Sequence, residues 1–202
     1  MRENEAKRDQ LMAAARALFW KHGIRRVSIE EICREAGISR MTFYKHFQDK
    51  DAVIRAILEM QEKEAFEKYQ SIMKSDSPFP EKVKALVQMK ALQTEAASHE
   101  FYHDLHRHAS PAIILLMDRI HKNGLRLMEK DLIQAQREGH FRAGIHPEFF
   151  MYLMDKMIEM AHDEVLIAMY PSPQDMIMEL TNFYFYGILP AEGRGKRASP
   201  ER

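Results

Sequence analysis

The stretch VSIEEICREAGISRMTFYKHF, residues 27–47, decides the fold. Ser28 followed three positions later by Glu31 is the pattern of a capping box, in which each side chain accepts a hydrogen bond from the other residue's backbone N–H. Gly37 ends this helix, and Ser39 caps a second, short helix. Two short helices joined by a tight turn, with the second polar on its outer face, are typical of a helix-turn-helix.

Helical patterns continue along the rest of the chain, so the sequence predicts an all-α fold of about nine helices. Only 8 Gly and 8 Pro occur among 202 residues, which argues against a turn-rich β fold. We expect a first helix over about residues 5–22 and a fourth from Asp49 toward Tyr69. After the break SDSPFP, the expected helices are about 80–97, 99–108, 111–138, 147–169 and 173–186.

Charge is unevenly distributed, although the formal net charge is zero. Residues 1–50 hold 11 Lys/Arg and 7 Asp/Glu, so this part suits an anionic partner. Cys33 is the single cysteine, so an intrachain disulfide is excluded. It lies on a predicted core face, which argues against a role as a nucleophile. Since the first residues are charged and no run of 18 apolar residues occurs, we expect no membrane partner and a cytoplasmic location, at the nucleoid when bound to DNA.

Enzymatic motifs are not found in the sequence. It contains no Gly-rich phosphate loop, no G-x-S-x-G and no H-E-x-x-H. We therefore expect neither an enzyme nor a cofactor.

Several correctly spaced motifs over residues 8–58 resemble one known family. They are residues 14–19 with Gly23, then 27–29, Ile32, 36–39, 42–47 and 50–53. The segment is similar to the DNA-binding domain of the TetR/AcrR family of bacterial repressors, and Tyr-Gly-Ile-Leu at 186–189 is often seen in that family's last helix. Met41 departs from the pattern, because the family more often has a small residue there; this bears on base contacts and not on the fold.

The resemblance implies a division into three parts. Residues 5–65 are expected to form the helix-turn-helix DNA-binding domain, with the motif itself at 27–46. Residues 66–190 are expected to form a helical ligand-binding and dimerisation domain that releases DNA when a small effector binds. Residues 191–202 are rich in Gly and charge and are predicted to be a disordered tail.

The expected DNA contacts combine the resemblance with the chemistry of the side chains. Arg40 can donate to guanine O6 and N7, Thr42 can bond a base edge or touch a thymine methyl, and Met41 offers only apolar contact. Tyr44 and His46 resemble phosphate-binding positions, whereas Ser28 and Lys50 lie at helix N-termini that favour phosphate. The full set is Ser28, Ser39, Arg40, Met41, Thr42, Tyr44, Lys45, His46 and Lys50.

The helices expected at 147–169 and 173–186 are apolar on two sides. In the first, one stripe consists of Phe149, Leu153, Met157 and Met160, and a second consists of Phe150, Met154, Ile158, Ala161 and Val165. A helix that is apolar on two sides is buried on two sides, so we expect one side to face a second copy of the chain; burial within one subunit is the alternative. The predicted dimer residues are Phe150, Met154, Ile158, Val165, Ile177, Leu180 and Tyr184.

The effector is expected to be small and apolar or aromatic. The chain has 15 Met, whose flexible side chains suit adaptable apolar pockets, although most are expected to serve core packing. The predicted pocket residues are Phe101, Tyr102, Leu105, Met117, His121, Met154 and Met157.

Two alternative readings concern regulation. His99, His103 and His106 fall on one helical face with a spacing that can bind a transition metal, so a metal-responsive regulator is one alternative; a wet polar surface gives the same pattern. A DNA-binding protein without any effector is the other alternative.

The expected DNA partner follows from the dimer. A dimer with two recognition helices requires a roughly palindromic operator on double-stranded DNA.

Overall fold

The computed structural model describes residues 2–94, 98–140, 144–160 and 163–188, and these contain ten helices and no strand. The predicted all-α fold is confirmed. The predicted tail, 191–202, lies outside the described residues. The helices are α1 Arg2–His22, α2 Ile29–Ala36, α3 Arg40–His46, α4 Lys50–Lys74, α5 Phe79–Thr94, α6 His99–Arg107, α7 Pro111–Arg137, α8 Pro147–Met160, α9 Glu164–Ile167 and α10 Pro173–Ile188.

One expected helix is divided. The periodicity predicts a continuous helix over 147–169, whereas the structure has α8 and the single turn α9. Asp163 caps that turn, because its carboxylate accepts from the backbone N–H of Val165 at 2.8 Å.

The first of two compact units comprises the described residues of 1–66 and 96–121. Its core is fully apolar and is formed chiefly by Leu11, Phe19, Ile32, Phe43, Val53, Ile57, Phe101 and Ile113. The unit therefore contains more than the predicted domain 5–65, because α6 and the start of α7 belong to it. The Trp20 ring lies against the Phe101 ring with centroids 4.0 Å apart, and the Ser98 N–H donates to the Trp20 carbonyl at 2.8 Å.

The second unit comprises the described residues of 67–95 and 122–202, and α5 packs against α10 within it. Two tyrosines anchor its core: the Tyr184 hydroxyl donates to the Phe150 carbonyl, and the Tyr69 hydroxyl donates to the Asp131 carboxylate at 3.0 Å. Burial raises the pKa of both phenols above the ordinary value. Both groups thus satisfy the general rule that buried hydroxyls find a partner.

The second unit also corrects the predicted dimer residues. Phe150 is 2% exposed and Tyr184 6% exposed, so both belong to the core of their own subunit and cannot form a contact surface. Their rings pack on each other with centroids 4.3 Å apart. Met154, Ile177 and Leu180 are half-buried and Val165 is exposed, whereas the side chain of Ile158 lies outside the described residues.

Most of the other apolar stripe of α8 is exposed, although Met157 packs against the core. Phe149 and Tyr152 are more than half exposed, and Leu153 and Met160 are also open to solvent. Phe183 on α10 is 74% exposed. The exposed large apolar side chains of α8 are therefore not among the predicted dimer residues.

Within the part of the chain that the structure describes, no helix combines the length and the apolar character needed to cross a bilayer.

Candidate nucleic-acid interface

The capping box predicted at the start of α2 is present. The Ser28 hydroxyl accepts from the Glu31 N–H at 3.2 Å, and the Glu31 carboxylate accepts from the Ser28 N–H at 2.8 Å. The backbone hydrogen bond from Ser28, followed by that from its hydroxyl, holds the pKa of Glu31 below its ordinary value. These bonds fix where α2 begins.

The turn between α2 and α3 depends on Gly37. Its φ of 65° lies in the left-handed region, where a residue with a Cβ is disfavoured. The Gly37 N–H donates to the Arg34 carbonyl, and the Ile38 N–H donates to the Cys33 carbonyl at 2.9 Å. Cys33 is buried as predicted, and burial raises the pKa of its thiol. The motif is thus closed by backbone bonds at the turn and by apolar packing behind it.

The short helix α3 is anchored by its inner side. Phe43 is completely buried and Phe47 nearly so, with ring centroids 5.8 Å apart. At the N-terminus, the Ser39 hydroxyl accepts from the Thr42 N–H at 3.2 Å and lies 3.0 Å from the Thr42 hydroxyl. A helix of this length is unstable alone, so these two anchors fix its orientation.

The outer side of α3 is an exposed surface of four residues, Arg40, Met41, Tyr44 and Lys45. They occupy positions i, i+1, i+4 and i+5, which share one side of a helix. Met41 is 70% exposed and Tyr44 51% exposed, so both side chains face outward. We call these four residues the α3 surface. It offers two cations, a phenol and an apolar side chain.

Three other predicted contacts lie beside the α3 surface. Ser28 and Ser39 are exposed, and each hydroxyl already serves a cap. Thr42 is half-buried and its hydroxyl is paired with that of Ser39. These groups accept or donate within the motif.

His46 and Lys50 differ from the prediction. The Nε2 atom of His46 is buried and has no hydrogen-bond partner among the described residues, so in this conformation it does not reach a phosphate. The Lys50 ammonium donates to the carbonyls of Ile24 and Val27, each at 2.8 Å. Burial lowers the pKa of Lys50. The Lys50 ammonium is thus bound by carbonyls of the α1–α2 loop and stabilises that loop. It does not point outward toward a phosphate.

A contact between this loop and α6 was not predicted. The Asp104 carboxylate accepts from the Arg25 N–H at 2.8 Å, across 79 positions of sequence. A Cβ built on Gly23, whose φ is 81°, would lie 2.8 Å from the same carboxylate oxygen. The first helix was expected to end just before Gly23, and no local pattern indicates that α6 packs against this glycine.

The predicted effector residues are divided between the two units. Phe101 and Leu105 are buried in the core of the first unit, and Tyr102 and Met117 pack against that core. Burial raises the pKa of Tyr102 to about 12. His121 belongs to the same unit, whereas Met154 and Met157 pack against the core of the second.

Two surface depressions have other linings. One lies on α1 and α4 and includes Arg16, Trp20 and Met60. The other follows α7 from Arg126 to Arg137. Neither includes a predicted effector residue.

The predicted metal-binding face is only partly described. His99 and His103 are exposed, and the side chain of His106 lies outside the described residues. His103 instead groups with Asp104 and His108.

Comparison with known proteins supports the interpretation of the N-terminal part. Residues 11–57 match the family model described as bacterial regulatory proteins of the tetR family. The Escherichia coli regulator UidR is 33% identical over 67 residues, which are 33% of this chain and 34% of UidR. The match thus spans about a third of that relative's length.

Two solved structures share the fold of nearly the whole chain. SmeT of Stenotrophomonas maltophilia in complex with triclosan has a TM-score of 0.66 at 18% identity, covering 98% of each chain. FadR of Bacillus subtilis in complex with stearoyl-CoA has a TM-score of 0.65 at 15% identity, covering 89% of this chain and 98% of FadR. SmeT is the repressor of a multidrug efflux pump, and FadR is a transcriptional regulator. The helix-turn-helix segment is therefore similar to the tetR family of bacterial regulatory proteins, and nearly the whole chain shares the fold of these two structures.

Proposed function

We propose that the protein is a DNA-binding transcriptional regulator of the cytoplasm, acting as a dimeric repressor at a palindromic operator. The observation that carries the proposal is the α3 surface, which exposes two cations, a phenol and a methionine on a helix anchored by Phe43 and Phe47. A rigid helix of this size fits the major groove of B-DNA.

The α3 surface can supply both kinds of DNA contact. We assign Arg40 to guanine, since its guanidinium can donate to O6 and N7, and Met41 to apolar contact with a thymine methyl. Tyr44 and Lys45 are assigned to phosphate oxygens, which fix register and orientation. Ser28, Ser39 and Thr42 are placed at the edge of this interface.

Dimerisation is proposed through the exposed apolar stripe of α8. Phe149, Tyr152 and Leu153 would remain in water in a monomer, together with Phe183 of α10. Large apolar side chains exposed in this number are typical of an interaction surface, and most oligomers of one chain are symmetric dimers. Two copies would present two α3 surfaces, which accounts for the proposed symmetry of the operator.

An apolar or aromatic effector is proposed for the second unit. Methionines pack half-buried against its core, including Met89, Met128, Met154 and Met157, and flexible thioethers adapt to apolar ligands. Structures of the same fold hold triclosan and stearoyl-CoA. Phe101 and Leu105 are less suitable than predicted, because the first core already buries them.

DNA binding is tested by fluorescence anisotropy with a duplex from the promoter of the protein's own gene. We expect Arg40→Ala combined with Tyr44→Ala to weaken binding by about tenfold or more, since one good base contact is worth about 1–3 kcal/mol. Lys84→Ala is the control, because Lys84 is 58% exposed on α5 and carries the same charge. Equal affinities of the double variant and the control would refute the assignment of α3.

Effector response is tested in the same assay. Triclosan and stearoyl-CoA are added as probes to the preformed complex. Release of the duplex by either probe supports an effector site, and it should be weakened by Met154→Ala. Retention of the duplex with both probes and with a wider set of apolar compounds would favour a regulator without an effector.

A further inference from the structure

We propose that His103, Asp104 and His108 form a binding site for a divalent transition-metal ion at the C-terminal end of α6. One ligand atom from each residue lies within 4.8 Å of the other two. The Nδ1 atom of His103 is 3.9 Å from the Oδ1 atom of Asp104, and the two imidazole rings have centroids 5.3 Å apart. Two imidazoles and a carboxylate are a ligand set that suits zinc, nickel or cobalt.

The distances require only a small adjustment. Ligands about 2.1 Å from a tetrahedral metal lie about 3.4 Å from one another. The His103 side chain is 49% exposed and His108 is also exposed, so both rings can rotate toward an ion without disturbing a core. Three protein ligands leave one position of a tetrahedral ion for water.

The end of α6 brings the two histidines together. In a continuous helix, residues five positions apart point about 140° away from each other around the axis. His108 is the C-cap, with φ −131° and ψ 5°, and its N–H donates to the Asp104 carbonyl at 3.0 Å. Leaving the helical path there lets its ring approach that of His103. The site therefore differs from the helical face of His99, His103 and His106 predicted from spacing.

The Asp104 carboxylate is already oriented by a hydrogen bond within the protein. The Oδ2 atom of Asp104 accepts from the Arg25 N–H, which leaves Oδ1 on the side of His103. The Asp104 side chain is 11% exposed, so its orientation is constrained by its surroundings. A hydrogen bond to the second oxygen is the usual means by which proteins orient a ligating carboxylate. The charge of Lys50 also acts on Asp104, but the Ile24 and Val27 carbonyls hold that ammonium.

Metal binding is tested with tag-free full-length protein. Co²⁺ is titrated while its visible absorption bands are recorded, and Zn²⁺ is then added to displace it. We expect saturation at one ion per chain, and His103→Ala and His108→Ala should each weaken binding at least tenfold. Asp104→Asn retains an acceptor for the Arg25 N–H and removes the charge, so weaker binding by this variant assigns the carboxylate as a ligand.

Two matched controls define the site. His99→Ala removes an exposed imidazole from the same helix, and His140→Ala removes one from the second unit. Both variants should bind as the wild type does. Circular dichroism verifies that every variant is folded. Absence of saturable binding by the wild type would overturn the proposal, as would loss of binding in His99→Ala together with retention in His108→Ala.

Discussion

Replacement of Gly23 by alanine tests whether α6 is part of the DNA-binding unit. The φ of Gly23 is 81°, and an added Cβ would lie 2.8 Å from the Asp104 Oδ2 atom and 3.1 Å from the Glu100 Cβ. The Asp104 oxygen cannot retreat freely, because it also accepts from the Arg25 N–H. The substitution therefore combines backbone strain with a clash against α6.

The magnitude follows from these two costs. A left-handed conformation costs a residue with a Cβ about 1–2 kcal/mol. Overpacking adds about 1–3 kcal/mol, so Gly23→Ala should lower the free energy of unfolding by about 2–5 kcal/mol. Gly37→Ala is the matched control, because its φ is 65° and an added Cβ would have no atom of the described residues within 4 Å. That variant should be destabilised only by the backbone conformation, by about 1–2 kcal/mol.

The assay is urea unfolding followed by tryptophan fluorescence. Trp20 is the single tryptophan, is nearly buried, and packs on Phe101 of α6, so its emission reports on the contact in question. Circular dichroism at 222 nm gives the loss of helix in the same samples. Equal destabilisation by Gly23→Ala and Gly37→Ala would refute the argument that α6 packs tightly on the α1–α2 loop.

Three further predictions concern caps, titration and assembly. Ser28→Ala should lower the stability of the first unit by about 1 kcal/mol in urea unfolding, and an unchanged midpoint would contradict the capping box. Because the folded pKa of Tyr69 is raised above 10, its contribution is fully present below pH 10 and is lost as the pH rises further. Tyr69→Phe should thus flatten the alkaline decline in unfolding free energy, and a decline as steep as that of the wild type would argue against the Tyr69–Asp131 contact. Phe149→Glu should yield a monomer in analytical ultracentrifugation, whereas Lys84→Ala should not; a Phe149→Glu dimer would exclude this stripe of α8.

The helix-turn-helix was predictable because its determinants are local. The capping box of Ser28, the turn at Gly37 and the cap at Ser39 each act over three or four positions. Such signals are complete in the sequence, so the expected bounds of α2 and α3 agree closely with those observed. The burial of Cys33 followed from helical spacing for the same reason.

Contacts between distant segments were not predictable in this way. Periodicity shows that α8 has two apolar sides, but it does not show which side packs against the core. The adjacent residues Phe149 and Phe150 have the same side chain, yet Phe149 is exposed and Phe150 is buried. The Lys50 side chain carries a charge that suits phosphate, yet carbonyls 23 to 26 positions away hold it. Asp104 and Arg25 are 79 positions apart. Each of these depends on tertiary packing, which overrides local pattern.

The central claim is that the α3 surface recognises a specific, two-fold symmetric DNA site. Selection from a random double-stranded library by the purified protein, followed by sequencing of the bound fraction, tests it most directly. We predict enrichment of an inverted repeat whose half-sites lie about one helical turn, or a multiple of it, apart. The Arg40→Ala and Tyr44→Ala double variant should not enrich that repeat. Failure of the wild type to enrich any sequence, or enrichment of the same repeat by the double variant, would contradict the claim.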